Sequence, residues 1–116
     1  GFRNGLPQDA DLVFDVRCLP NPYYVPELKE HDGTEGPVRD YVMNAPESHE
    51  MLQKLEELLA FSIPLYQREG KSQLVVAVGC TGGRHRSVAI ACQLAAYLRS
   101  LGYRVEVSHR DKDNRR

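Results

Sequence analysis

The residues with the clearest chemical potential form one glycine-rich stretch, residues 79–87. It reads Gly-Cys-Thr-Gly-Gly-Arg-His-Arg-Ser and follows an apolar, β-branched run. A strand that ends in glycines and opens a helix gathers backbone N–H groups at the positive end of the helix dipole, which favours an anion. Glycine lets the backbone approach a ligand closely, and an arginine can hold two phosphate oxygens. A tight turn with solvated arginines is the structural alternative. The predicted phosphate-binding residues are Cys80, Thr81, Gly82, Gly83, Arg84, His85, Arg86 and Ser87.

The same stretch has a second interpretation as a catalytic loop. Cys80, Gly83, Arg86 and Ser87 have the spacing Cys-x-x-Gly-x-x-Arg-Ser, which looks like the phosphate loop of cysteine-dependent phosphatases. In that chemistry the loop lowers the cysteine pKa, so that a thiolate can attack phosphorus. No segment resembles a general-acid loop, so Asp15 would have to serve as the acid. Since free cysteine is often simply buried, no residue is assigned a catalytic role.

A second group of polar residues follows the first predicted strand. In a mainly parallel sheet, ligands gather at the carboxyl ends of the strands, so Asp15, Arg17, Asn21 and Tyr23 are expected near the glycine-rich stretch. Arg17 could share the phosphate, Asp15 or Asn21 could bind sugar hydroxyls or amines, and Tyr23 could stack on the ligand. The structural alternatives are a pairing of Asp15 with Arg17, an Asn21 that bonds its own turn, and a Tyr23 that caps the core.

The pattern of apolar residues predicts an α/β domain. Residues 12–17, 73–79 and 103–108 have strand character, and the central run 73–79 suits a strand covered on both faces. Helical periodicity predicts a short helix from Pro37, a longer one from Pro46 that Pro64 kinks or ends, and a third that stops at Gly102. The expected order is β-α-α-β-α-β, a three-layer-type domain with a small, mainly parallel sheet and helices packed on it.

The composition is that of one ordinary globular domain. The 116 residues are 41% hydrophobic and 27% charged, with no apolar run of about 20 residues that could cross a membrane. No signal pattern opens the sequence, so a cytoplasmic location is expected. Three cysteines, without a Cys-x-x-Cys pair, indicate neither a disulfide scaffold nor a metal site. The net charge of −1 argues against a surface built entirely for nucleic acid.

The C-terminal residues are the one concentrated basic segment. From His109 the chain reads His-Arg-Asp-Lys-Asp-Asn-Arg-Arg. A solvated terminus explains this pattern, with 111–116 a flexible tail. The alternative is RNA binding, in which basic side chains neutralise backbone phosphates. The residues predicted for that role are Arg110, Lys112, Arg115 and Arg116.

Two long motifs resemble the RapZ family of bacterial proteins, also known as YvcJ-like nucleotide-binding proteins and RNase adapters. One is the stretch 79–88, and the other is the segment 9–17 followed by Leu-Pro-Asn-Pro-Tyr at 19–23. Weaker similarities lie at 37–41 and 109–111. The resemblance extends through essentially the whole chain. Because no Gly-x4-Gly-Lys-Ser/Thr motif is present, it implies a C-terminal domain without the family's P-loop domain, which is linked to ATP and GTP binding and hydrolysis.

The resemblance implies a regulatory, non-catalytic domain. Such a domain would bind an aminosugar phosphate at residues 80–87, and bind small RNAs and present them to an endoribonuclease. No cofactor is implied for this domain, and a homo-oligomer is left open. Tyr23 stands where RNA-binding relatives have a histidine, which leaves a nucleotide sugar open as ligand. Asp111 and Asp113 dilute the charge of the tail.

Overall fold

Two parallel strands lie side by side, and their carboxyl ends set the position of the glycine-rich stretch. A computed structural model of the chain describes residues 1–5 and 8–110. Within them, β1 (Leu12–Asp15) pairs with β2 (Val76–Gly79), with Asp15 opposite Gly79. The Val16 N–H extends the pairing to the Gly79 carbonyl at 2.9 Å. The chain therefore leaves both strands at the same edge, as the sequence predicts.

Three helices cover this small sheet in the described part of the chain. They are α1 (Gly36–Met43), α2 (Pro46–Arg68) and α3 (Arg86–Ser100). The predicted proline at the start of α1 is confirmed, and α3 ends before Gly102, which takes the left-handed φ of +94°. None of these helices has the length and apolar character that a membrane crossing requires. The molecule is an α/β domain in which α3 packs on β2 and the three helices pack on one another.

The hydrophobic core lies between the helices and the inner side chains of the strands. Val42, Leu59 and Ile90 are fully buried there, one from each helix. Leu12 and Phe14 pack against the same core, while Val13 points away and is 43% exposed. This alternation fixes the register of β1, because a slip of one residue would exchange its apolar and exposed faces.

The prediction that Pro64 could end the second helix is wrong. α2 continues through Pro64 to Arg68. A proline inside a helix forfeits one backbone hydrogen bond. Ile63 packs on the core beside it, and Leu59 is buried one turn earlier. Burial of this apolar face offsets the lost bond, so the helix persists for one further turn.

The prediction of a last strand over residues 103–108 is also wrong, so the described order ends at α3. The backbone there bonds to the end of α3 instead of forming a ladder. The Tyr103 N–H donates to the Leu98 carbonyl at 3.2 Å, and Arg99 Nη2 donates to the Val105 carbonyl at 2.8 Å. β2 is shorter than predicted, and its Val76, Ala77 and Val78 are half-buried instead of being covered on both faces.

Candidate anion-binding site

The turn between β2 and α3 leads into a helix start that has no side-chain cap. Gly83 has a φ of +78°, which a residue with a side chain rarely adopts. His85 is the N-cap residue of α3, but its side chain makes no capping hydrogen bond. The first N–H groups of a helix need an acceptor from outside the helix. An anion at this point would supply one, as the glycine spacing predicts.

Cys80 lies at the base of this turn, with donors directed at its sulfur. The thiol is 2% exposed and donates to Ser87 Oγ at 3.3 Å. Burial raises the pKa of the Cys80 thiol, but the Ser87 hydroxyl, the amides of Ser87 and Gly83, and the charge of Arg86 together leave that pKa below its usual value. The turn thus favours negative charge at its base, which is the electrostatic property that a phosphate site requires.

Arg86 is a buried cation at the start of α3. Its side chain is 5% exposed, and Nη1 donates to the carbonyl oxygens of Arg17 and Leu19, the latter at 3.3 Å. Its Nε is buried and has no partner within residues 1–5 and 8–110. A buried guanidinium N–H without an acceptor lowers the stability of the fold, because it has lost its hydrogen bond to water and has gained no hydrogen bond in the protein. Arg86 therefore joins the segment after β1 to the glycine-rich stretch and keeps one N–H for a further acceptor.

Arg84 and His85 bind a neighbouring loop. Arg84 Nη2 donates to the Glu30 carbonyl at 2.8 Å, and His85 Nε2 lies 3.1 Å from the Lys29 carbonyl. The Gly33 N–H returns a bond to the Arg84 carbonyl at 2.7 Å. A methyl group at Gly33 would lie 2.5 Å from the His85 carbonyl oxygen, so only glycine allows this approach. Burial is the main cause that lowers the pKa of His85, so its ring adds no full charge at neutral pH.

Asp15 and Arg17 form the ion pair that the structural alternative predicts. Arg17 Nε lies 3.0 Å from both carboxylate oxygens of Asp15, and Nη2 lies 2.6 Å from Oδ2. The hydrogen bond from the Arg17 side chain is the largest cause that lowers the pKa of Asp15, to about 2. An acid with this pKa is ionised at neutral pH and holds no proton for a leaving group. This geometry argues against Asp15 as a general acid.

Asn21 and Tyr23 lie in the short turn after β1. The Asn21 Oδ1 accepts from the Tyr23 N–H at 3.1 Å, as an N-cap of the 3-10 turn Pro22–Tyr24. The Tyr23 ring is 48% exposed, so it does not cap the core, and Lys29 Nζ lies 4.6 Å from its centroid. Asn21 thus has a structural bond, while the Tyr23 ring remains accessible to a ligand beside the loop that Arg84 and His85 hold.

The first five residues also belong to the site, which the sequence does not indicate. The Phe2 N–H donates to the Cys80 carbonyl at 2.8 Å, and the Arg3 N–H donates to the Thr81 carbonyl at 3.0 Å. A methyl group on Gly79 would lie 2.3 Å from the Phe2 ring, so this ring packs directly on the end of β2. Residues 2–10 have no apolar period and read as an irregular lead-in. The sequence therefore contains no pattern that would have placed these residues at the site.

Arg110 contacts this first segment. Its Nη2 donates to the carbonyl oxygens of Gly1 and Gly5 at 3.1 and 2.7 Å. The other residues predicted to bind RNA, Lys112, Arg115 and Arg116, lie outside the described residues, as does the predicted flexible tail 111–116. In the described ranges, no cluster of three His, Cys, Asp or Glu residues could hold a metal ion, and none of the three cysteines forms a disulfide there.

Comparison with known proteins agrees with the family that the motifs resemble. The sequence profile of the family described as the RapZ C-terminal domain matches residues 1–113. The chain belongs to this family. The match includes the strand β1, the turn after it and the whole glycine-rich stretch, so the RapZ domain carries both segments that meet at the candidate site.

Bacterial relatives of this RapZ domain are described as nucleotide-binding proteins. One from Alkaliphilus oremlandii is 59% identical over 97% of the chain and 39% of its own length. One from Clostridium acetobutylicum is 56% identical over 96% of the chain and 38% of its own length. One from Geobacter sulfurreducens is 56% identical over 97% of the chain and 40% of its own length. The chain spans about two fifths of the length of these relatives.

Proposed function

We propose that this RapZ domain is a non-catalytic regulatory domain that binds a sugar phosphate or a nucleotide sugar at residues 80–87. The observation that carries the proposal is the buried guanidinium of Arg86 beside the uncapped first turn of α3. Both groups need an acceptor, and one phosphoryl group offers several oxygens to them. The family and the description of its relatives as nucleotide-binding proteins support a phosphate-bearing ligand.

Two groups near the glycine-rich stretch support a sugar beside the phosphate. Tyr23 offers an exposed ring, and Asp15 offers carboxylate oxygens at the same edge of the sheet. An ionised carboxylate attracts an amino group, and an aromatic face packs on a sugar ring. These groups favour an aminosugar phosphate. A nucleotide sugar is accommodated by the same phosphate contacts.

Isothermal titration of the chain tests the proposal with a matched pair of ligands. A hexosamine 6-phosphate should bind at least about tenfold more tightly than the same hexosamine without phosphate, because the phosphate contacts are charge-assisted. Inorganic phosphate should compete with it, and a UDP-sugar tests the nucleotide alternative. Equal binding of the two hexosamines, or no binding of any phosphate, would contradict the proposal.

A cysteine-dependent phosphatase is the second candidate, favoured by the lowered pKa of the Cys80 thiol. Its weakness is the missing acid, since the carboxylate of Asp15 is already paired with Arg17. An aryl phosphate distinguishes the two functions, because its leaving group departs without protonation by a general acid. Turnover that disappears in Cys80→Ser would establish the phosphatase, whereas binding without turnover supports the regulatory domain.

Small-RNA binding, with presentation to an endoribonuclease, is the part of the proposal that rests on the family resemblance and the basic tail. Removal of residues 111–116 takes away Lys112, Arg115 and Arg116. The slope of log affinity for a single-stranded RNA against log salt should then fall by about 2. An unchanged slope would place the RNA contact elsewhere.

A further inference from the structure

Arg3 is the arginine at the glycine-rich stretch whose guanidinium has no protein partner in the described residues. Arg86 donates to the carbonyls of Arg17 and Leu19, Arg17 is paired with Asp15, and Arg84 donates to the Glu30 carbonyl. A methyl group placed on Gly82 would lie 3.8 Å from Arg3 Nη2, so the Arg3 guanidinium lies directly against the turn. In this part of the chain it makes no hydrogen bond or ion pair.

We propose that Arg3 is a phosphate-binding residue of this site and that residues 1–5 form one wall of it. This inference rests on the proposed function, and it assigns to Arg3 the bidentate contact that the sequence assigns to the arginines of the 80–87 stretch. A guanidinium can hold two phosphoryl oxygens with parallel N–H bonds. The amides of the turn and the Nε of Arg86 approach the anion from the base, and Arg3 approaches it from the solvent side.

The wall is fixed by contacts on both of its sides. On one side, the Phe2 and Arg3 amides donate to the Cys80 and Thr81 carbonyls, at 2.8 and 3.0 Å. On the other side, Arg110 bonds the carbonyls at both ends of the segment, Gly1 and Gly5. These bonds hold the Arg3 backbone against the turn, so binding an anion costs side-chain freedom but little backbone freedom.

Phe2 joins this wall to the second segment of the site. Its ring packs on Gly79, and the Cζ of Arg17 lies 4.8 Å from the ring centroid. The guanidinium of Arg17 is thereby held between an aromatic face and the Asp15 carboxylate. Phe2 therefore packs against Arg17 and the end of β2, whereas Arg3 contacts the anion itself.

The test compares Arg3→Ala with Arg68→Ala by titration with inorganic phosphate at low salt. Both variants remove one exposed arginine and one positive charge. Arg68 lies in the last turn of α2, near Lys71, whose ammonium pairs with Asp11 just before β1. That is the opposite end of the strands from the site. Arg3→Ala should weaken phosphate binding about tenfold, the typical effect of losing a charge-assisted contact, and Arg68→Ala should leave it within about twofold.

Arg3→Lys separates a phosphate contact from a general charge effect. Lysine keeps the charge but loses the fork, so it should restore part of the affinity. Thermal unfolding of each variant within a few degrees of the original chain checks that the fold is kept. If the original chain binds phosphate and Arg3→Ala behaves like Arg68→Ala, the role of Arg3 is wrong while the anion site stands. If the original chain binds no phosphate, the proposed function and this inference are both wrong.

Discussion

The charged side chains around the glycine-rich stretch differ in the partners that they bind within the protein. Arg84 and Arg86 satisfy carbonyl groups of neighbouring loops, and Arg17 neutralises Asp15. Residue type and spacing predict that cations converge here. Residue type and spacing do not predict which of these cations bonds to the protein itself, because those bonds are made to carbonyls up to 69 residues away along the chain. The structural alternatives for Asp15 and Asn21 are both present, and these bonds are local, since each joins residues two positions apart.

The Asp15–Arg17 pair gives a pH-dependent prediction. The pKa of Asp15 is lowered from 3.8 to about 2, first by the Arg17 side chain. Because the folded pKa is depressed, the contribution of the pair to stability is present above about pH 4 and disappears as the pH falls through about 2. The pair is half-exposed, so this contribution is small.

The NMR titration of the Asp15 carboxyl carbon checks this prediction. We expect a midpoint near 2 in the original chain and a midpoint raised towards 3.8 in Arg17→Gln, which loses the largest cause of the shift but keeps the backbone N–H bond of residue 17. Arg39→Gln removes a second exposed Arg–Asp pair, Arg39 with Asp40, and serves as the control. A midpoint that is the same in the original chain and in Arg17→Gln would show that the pair does not set the pKa.

The two adjacent glycines of the turn should respond differently to alanine. Gly83 has a φ of +78°, whereas Gly82 is not among the described glycines with positive φ. Gly83→Ala should lower the free energy of unfolding by about 1–2 kcal/mol, the typical cost of a left-handed alanine. In Gly82→Ala the added methyl group makes only an ordinary contact with Arg3, so the free energy of unfolding should change by less than about 0.5 kcal/mol. Urea denaturation measures both, and equal losses would contradict the turn geometry.

At the scale of elements, hydrophobic periodicity predicts the helices, because each has a long apolar face. The helices from Pro37, from Pro46 and up to Gly102 are confirmed, because each buries a stripe in the shared core. The positions of short segments without such a stripe cannot be predicted from the sequence. Residues 1–5 are positioned by backbone bonds to Cys80 and Thr81 and by Arg110, and none of these leaves a pattern in the sequence.

Removal of the Arg110 guanidinium should loosen the first segment selectively. In Arg110→Gln the carbonyls of Gly1 and Gly5 lose their long-range donor. Amide hydrogen exchange of Phe2 and Arg3 should become about tenfold faster, in line with the loss of one to two hydrogen bonds from a local opening equilibrium. Arg104→Gln, a change at another exposed arginine of the C-terminal segment, is the control. Unchanged exchange in Arg110→Gln would mean that the segment is held by its bonds to the turn alone.

At the scale of the whole molecule, the α/β class and the parallel pairing follow from the order of the apolar segments. The last predicted strand does not form because residues 103–108 bond to the end of α3. A strand is stabilised by its partner, and the alternation of 103–108 does not identify one. The two segments that meet at the carboxyl edge of the sheet are far apart in the chain, and parallel pairing brings them together.

The anion site at this edge is tested most directly by an amide NMR titration of the chain with inorganic phosphate. Proton and nitrogen shifts of the amides from Thr81 to Ser87 should change together and saturate with one dissociation constant, since these donors would share one anion. Sulfate should compete, and chloride at equal ionic strength should not reproduce the pattern. Shifts that are absent, or that are confined to residues outside the 80–87 stretch and the first five residues, would contradict the site.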